Sequence, residues 1–528
     1  MNRRTFLAWG LSASTLAVLS ACNKVFGSPE PSTTHGAGHN MGAMTPMTAN
    51  TDLLPVTALP AGLPLAALPL LKNESTEANT FKAYLTAKET SIELVAGKPT
   101  RFWTYNDQIP GPQIAVYEGD TIQIHFKNQL SQPTTIHWHG LPVTPEQDGN
   151  PHDPVLPGQT HTYQFTLPIG SAGTYWYHTH AHELAAEQAF RGLAGSFIVR
   201  AKNDPLAQLP EQHWFFSDLR LDNNAQIPEN NMMDWMNGRE GQFVLINGQR
   251  QPQMSIKGNE RIRIWNACSA RYLNLAIPNC ELIVVGTDGG LLEKPAPAVS
   301  SLLIAPAERY EIIVRAQKSG TYPLNNLPYD RQKMMVAYQA ETSILANISI
   351  QANEIALPTQ LRSIPDLGAP VARKRVSFSE KPMSAMMSSM GGNMQGMNHG
   401  TMHGSGGASM NHAQKMMNGM FLVNDQVFDM KRMDLTSQVG AVEEWTITNN
   451  SHMDHPFHLH GTQFILLDRT LNGKTETAVY KSFKDTVNLR PNEQIRIKTV
   501  QHHKGIRMFH CHILEHESLG MMAQLNVI

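Results

Sequence analysis

The stretch His510-Cys511-His512-Ile513-Leu514-Glu515-His516-Glu517-Ser518-Leu519-Gly520-Met521 lies near the end of a 528-residue chain. In a strand, successive side chains point to opposite faces, so Cys511 faces one way and His510 and His512 the other. One strand and the loop after it can then present Cys511, His516 and Met521 together. Three more strings have related spacing: His137-Trp138-His139-Gly140, His178-Thr179-His180 and His455-Pro456-Phe457-His458-Leu459-His460. A single His-x-His pair is weak evidence, because it also occurs by chance. Four pairs, at 137/139, 178/180, 458/460 and 510/512, are too many to assign to chance, and each puts two imidazoles on one face only if the chain is extended there.

Outward from these strings the chain reads as strand and turn. Short apolar-alternating runs recur, such as Thr121-Ile122-Gln123-Ile124-His125-Phe126, Arg261-Ile262-Arg263-Ile264-Trp265 and Tyr310-Glu311-Ile312-Ile313-Val314. They are bounded by turn formers, as in Glu118-Gly119-Asp120 and Lys257-Gly258-Asn259. The period of two predicts antiparallel sandwich sheet, and helical periodicity is scarce. At roughly 100–200 residues per domain the length suggests about three domains. The texture divides accordingly into 54–202, 203–366 and 367–528. The 42 Lys+Arg nearly cancel the 44 Asp+Glu, which gives no footprint for nucleic acid or an anionic membrane. Four cysteines exclude a disulfide scaffold at this length.

Twenty-seven Met and 23 His stand out in the composition. Two His, a Cys thiolate and a weak axial Met make an electron-transfer copper site, and zinc rarely uses Met. His455, Cys511, His516 and Met521 supply that set. His510 and His512, on the other face of the same strand, need partners, and His137, His139, His178, His180, His458 and His460 provide them. Eight imidazoles around one spot suit three coppers, enough to pass four electrons to O2. Residues 383–420 hold 11 Met and 3 His in 38 positions, without Leu, Ile, Val or Phe. That composition reads as a solvent-facing, thioether-rich segment for a soft metal rather than as core.

At this point the sequence resembles a multicopper oxidase of three cupredoxin-like Greek-key β-sandwich domains, all-β in class. The resemblance covers residues 54–528 and is nearest to the periplasmic copper efflux (cuprous) oxidases with a Met-rich insert. It implies four copper ions. His455, Cys511, His516 and Met521 would bind the type 1 copper, and His137 and His458 the type 2 copper. His139, His178, His180, His460, His510 and His512 would bind the type 3 pair. Asp148 and Glu517 match the family's acids, near the type 2 copper and in the proton relay respectively. The implied reaction oxidises Cu(I) to Cu(II) and reduces O2 to water, in copper detoxification; the alternative is laccase-like oxidation of phenols or aromatic amines. One departure stands out. The family's substrate-copper site has an Asp and a Met just before the type 1 His; Met453 matches the Met, but Ser451 stands where the Asp is expected. The insert's entrance also lacks an acid, so a rearranged site of Met383, Met386, Met387 and Met453 is expected.

Asn2-Arg3-Arg4-Thr5-Phe6-Leu7 and the apolar run to Ala21 resemble a twin-arginine export signal over residues 1–27. Leu19-Ser20-Ala21-Cys22 resembles a lipobox that would lipidate Cys22, while Val25-Phe26-Gly27 could instead precede a cleavage site. Either places the mature chain outside the cytoplasm, in the periplasm, with 28–53 a disordered linker. A monomer is expected. Cys268 and Cys280 read equally as a disulfide or as buried thiols.

Overall fold

The computed structural model describes residues 52–382, apart from 353 and 355, and 412–528. The export signal, most of the linker and Met383, Met386 and Met387 lie outside these residues. The described chain is built of strands in three successive pairs of sheets. Residues 80–200 form two four-stranded sheets, residues 211–350 a seven- and a five-stranded sheet, and residues 372–527 another seven- and five-stranded pair. Alternation drives each sandwich. In Thr121–Asn128 the buried side chains are Ile122, Ile124, Phe126 and Asn128. In Val442–Asn449 they are Glu443, Trp445, Ile447 and Asn449. Each fully buried apolar side chain of this kind contributes roughly 1.5–3 kcal/mol.

The sheets are not purely antiparallel, as the alternation alone predicts. Thr80–Val95 pairs parallel with Thr121–Asn128, Glu211–Leu219 with Arg261–Asn266, and Ala372–Glu380 with Val442–Asn449. The same parallel pair opens all three blocks. Period-two patterning reports which face of a strand is buried and is blind to the direction of its neighbour. Residues 61–64 make bridges to Arg250 and Gln253 of the second block, and Leu70 bridges to Gln113 of the first.

The third core is not confined to its own block. Ala186, Trp235, Met236 and Ala270 pack into one cluster with Phe421, Phe457, Cys511 and Met521. Met236 arrives on the short helix Met232–Asn237, started by a capping box between Asn231 and Asp234. The helix stops at Gly238, whose φ is 75°, and a Cβ there would lie 2.5 Å from Ile513. Only glycine lets the second block approach the loop after Cys511 so closely.

The tail of the Met-rich segment corrects the sequence reading. His412–Met417 is a helix, and Met417 and Met420 are buried in the third core rather than facing solvent. An unbranched thioether fills a core as readily as it binds a soft metal, and composition cannot separate the two uses. Cys268 and Cys280 are free, buried thiols.

Candidate metal centre

Register brings the histidine strings together. His137–His139 pairs antiparallel with Gly173–His178, setting His137 opposite His178. His455–Leu459 pairs antiparallel with Gly505–Cys511, setting His458 opposite His510 and Phe457 opposite Cys511. His458 and His510 therefore leave their sheet on one face, while Cys511 leaves on the other. All ten histidines, Cys511 and Met521 are at most 1% exposed.

One group forms from His455, Cys511 and His516. Cys511 Sγ lies 3.3 Å from His455 Nδ1 and 3.9 Å from His516 Nδ1, and the two Nδ1 atoms are 3.2 Å apart. The ring of His516 is fixed from behind: Nε2–H donates to the Met236 carbonyl at 3.2 Å, and Phe421 stacks on it at 3.8 Å. Such a bond selects the tautomer that leaves Nδ1 as a donor atom for a metal. Met521 closes the loop, its carbonyl accepting from the Cys511 N–H at 3.1 Å and its side chain buried in the core that holds Cys511. Burial pushes the Cys511 thiol far up and holds the His455 imidazole at about 3. His455 is thus neutral and ready to coordinate, whereas Cys511 needs a cation to become a thiolate.

The other eight histidines form a second group on the far face of the same strand. His137 and His458 face each other through Nε2 at 3.4 Å. Their Nδ1 atoms are occupied, donating to the carbonyls of Asp148 and Asp485 at 2.8 Å each. The Nε2 of His510 faces that of His180 at 3.2 Å and that of His460 at 3.0 Å. His139, His178 and His512 cluster with ring centroids 4.9–5.6 Å apart. Burial depresses His510 to about 3, and drives His139, His178, His180, His458, His460 and His512 well below the ordinary imidazole value.

These donors fit copper. A ring nitrogen holds one proton or one lone pair, so three Nε2 atoms converging at His510 cannot all be satisfied by hydrogen bonds among themselves. His512 is buried with neither ring nitrogen bonded. Neutral imidazoles with one thiol and one thioether are copper's donors, not those of a hard cation.

Both expected carboxylates flank the eight-histidine group. Asp148, completely buried, lies 3.4 Å from His137 Nδ1 and 3.3 Å from His460 Nδ1, and is anchored by buried Arg507 at 3.1 Å. Glu517 lies 3.7 Å from His180 Nδ1 and 3.5 Å from His510 Nδ1. Burial, then the neighbouring Glu515 carboxylate, raises Glu517 well above the usual range, so it can hold a proton.

Sequence reading missed three residues here. Asp485 accepts from His139 Nε2 at 3.0 Å and is clamped by Arg309 of the second block through bonds of 2.7 and 2.5 Å. His139 thereby turns Nδ1 inward, toward His178 Nε2 at 3.4 Å. Gly140, with φ of 85°, admits this acid: a Cβ there would sit 2.1 Å from Asp485 Oδ2. No spacing rule joins residues 346 positions apart. The third is Glu380. Ser451 is buried and bonded to Asn449 and to the Met453 carbonyl, and Met453 is itself fully buried. Beside Ser451 stands the acid Glu380, which binds both the ring Nδ1 and the backbone N–H of the adjoining His452. Its Oε2 and His452 Nε2 are left without hydrogen-bond partners. Outside the sites, His182 is part-buried beside Glu183, and His502 is exposed.

Comparison with known proteins agrees with this geometry. Profiles of the multicopper oxidases match residues 86–204, 211–347 and 402–528. A solved multicopper oxidase from Campylobacter jejuni, described as a metallo-oxidase, superposes with a TM-score of 0.85 at 49% identity, covering 91% of this chain and 98% of that one. A multicopper oxidase of Staphylococcus aureus is 29% identical over 85% of this chain and 89% of its own length. A Bacillus subtilis laccase is 26% identical over 81% and 91%. The chain belongs to the multicopper oxidase family.

Proposed function

We propose that the protein oxidises Cu(I) to Cu(II) with O2 as acceptor, four Cu(I) and four protons turning one O2 into two waters, and so lowers copper toxicity. One observation carries the choice of substrate. The two ends of the Met-rich segment are joined by a hydrogen bond from the Lys381 N–H to the Met420 carbonyl at 2.9 Å. Phe378 and Phe421, just outside those ends, lie with ring centroids 6.0 Å from His455. The described ends of the segment, Lys381 and Met420, therefore adjoin the phenylalanines that pack on His455 and His516. Buried Met453 and the unpartnered Glu380 and His452 atoms lie at the same place, and a carboxylate there favours the harder Cu(II) product.

Resident copper would supply a one-electron acceptor on His455, Cys511, His516 and Met521 and, as one type 2 and two type 3 ions on the eight other histidines, the centre that reduces O2. The chain does the rest. Cys511 and its neighbours His510 and His512 link the two groups through a few covalent bonds. Phe421 and Met236 hold His516 in one orientation. Asp148 and Asp485 fix His137, His458 and His139 through their Nδ1 or Nε2 protons. Glu517 carries protons to the side of His180 and His510, where O2 reduction consumes them. The twin-arginine segment supports export to the periplasm, with Cys22 as a lipid anchor.

The test is oxygen uptake by the copper-loaded protein, with and without residues 383–411; the cut spares core Met417 and Met420. Cu(I)-driven uptake is expected to collapse on deletion while uptake with phenols persists. Unchanged Cu(I) oxidation would overturn the reading.

A further inference from the structure

A cavity of about 40 Å³ lies where the first block meets the second. Phe102, Ile109 and Phe190 of the first block and Phe215, Leu219 and Leu245 of the second line it, and all but Ile109 are buried. Strand alternation makes this wall apolar. In Glu211–Leu219, Phe215, Ser217 and Leu219 share one face, while Trp214 and Phe216 turn into the core of the second block. Asp218 also borders the space but carries its carboxylate to the other face, where Arg271 binds it at 2.6 Å. Of this strand, only the Ser217 hydroxyl is a polar group turned to the cavity.

The second observation is what lies behind the wall. Ala194 borders the cavity, and in the antiparallel pair of Gly173–His178 with Ala194–Arg200 it stands directly opposite His178. Opposite residues leave a sheet on the same face, with Cβ atoms about 4.5–5.5 Å apart. The Ala194 methyl therefore lies beside the His178 imidazole. Ser269, another wall residue, accepts through its carbonyl from the Leu514 N–H at 3.3 Å, and Leu514 is two residues past His512. The rings of His178 and His512 are themselves neighbours, with centroids 5.3 Å apart. At two points, then, the cavity backs onto the eight-histidine group.

Size and polarity select the guest. A single water needs about 10–15 Å³, so the space takes a molecule of two or three atoms and no ring. Cavities with apolar walls stay dry and take up apolar guests such as xenon. We infer that this cavity is a docking site for O2, which holds the molecule beside Ala194 before it reaches the eight-histidine group. The inference rests on that group being the place where O2 is reduced. O2 is uncharged, apolar and diatomic, so it is held by contact with the walls alone. The site raises the concentration of O2 next to His178 and acts only on the oxygen-dependent part of turnover. It leaves the entry of electrons at His455 and His516, on the other side of the Cys511 strand, as it is.

The experiment uses xenon as probe on the full chain and on two variants that add bulk from different parts of the wall, Ser217→Leu and Ala267→Val. Xenon binding to the copper-free protein, followed by xenon NMR, is expected in wild type and should weaken at least tenfold in both variants. In the copper-loaded enzyme the KM for O2 should rise at least threefold in each, while kcat at saturating O2 and the KM for Cu(I) stay within twofold of wild type. A wild type that binds no xenon, its cavity filled with water, would overturn the inference. So would a variant that folds and loads copper, loses xenon and keeps the wild-type KM for O2. A loaded wild type that binds xenon but consumes no O2 with either Cu(I) or a phenol would instead overturn the eight-histidine group as the place of O2 reduction.

Discussion

Replacing Arg309 by methionine tests whether the ligand-free second block controls the eight-histidine group. Its side chain is 1% exposed and donates to the carbonyls of Thr174 and Ala307 at 2.8 Å and to both oxygens of Asp485. It joins all three blocks at one point. Asp485 and Asp288 are completely buried beside it, and only Asp288 has a second cation, Lys484 at 3.1 Å. Methionine fills much of the volume but strands the Asp485 charge, and breaking a buried pair this way costs about 3–5 kcal/mol. At about 2–4 °C per kcal/mol for a domain of this size, the block-three transition should fall by roughly 6–20 °C. Calorimetry of the copper-free protein reads this directly. Adding Asp485→Asn removes the stranded charge, so the double variant should be more stable than Arg309→Met alone. It should also recover copper loading, because the amide oxygen introduced by Asp485→Asn can still accept from His139 Nε2 and keep Nδ1 inward. A melting point unchanged by Arg309→Met, or a double variant less stable than the single, would refute the argument.

Gly140→Ala forces a Cβ to 2.1 Å from Asp485 Oδ2 at a positive φ, and should cost at least about 2 kcal/mol and lower copper content, measured by melting and by metal analysis. Glu517→Gln should slow steady-state oxygen reduction about 100-fold while leaving anaerobic reduction by substrate unaffected, as stopped-flow spectra would show. The copper-free protein should be acid-labile. His455 and His510 titrate near 3 when folded, against about 6.5 unfolded, so the unfolded chain binds more protons and stability falls as pH drops from 6.5 toward 3. Melting temperatures across that window check the slope, and a flat profile would contradict neutral burial of these rings.

The four histidine strings made the fold and most of the centre legible, because strand alternation is a local rule. From Cys511 and His510 alone one can say that a single strand turns the two side chains to opposite faces, and the register with Phe457 and His458 shows the same. Asp485 was illegible for the opposite reason: its partners His139 and Arg309 are 346 and 176 positions away. Glu380, 72 residues from His452, stayed hidden in the same way when only the neighbourhood of Ser451 was searched. Met417 and Met420 misled because a count of methionines carries no information about burial.

The hydrogen bond between Lys381 and Met420 has an engineering consequence. Because the fold itself brings these two residues together, changing the number of residues between Pro382 and His412 carries a small closure cost: each doubling of a loop's length costs only about 0.6 kcal/mol. Segments of other lengths and other soft-metal preferences can therefore be exchanged between Pro382 and His412, with Met417 and Met420 kept in the core.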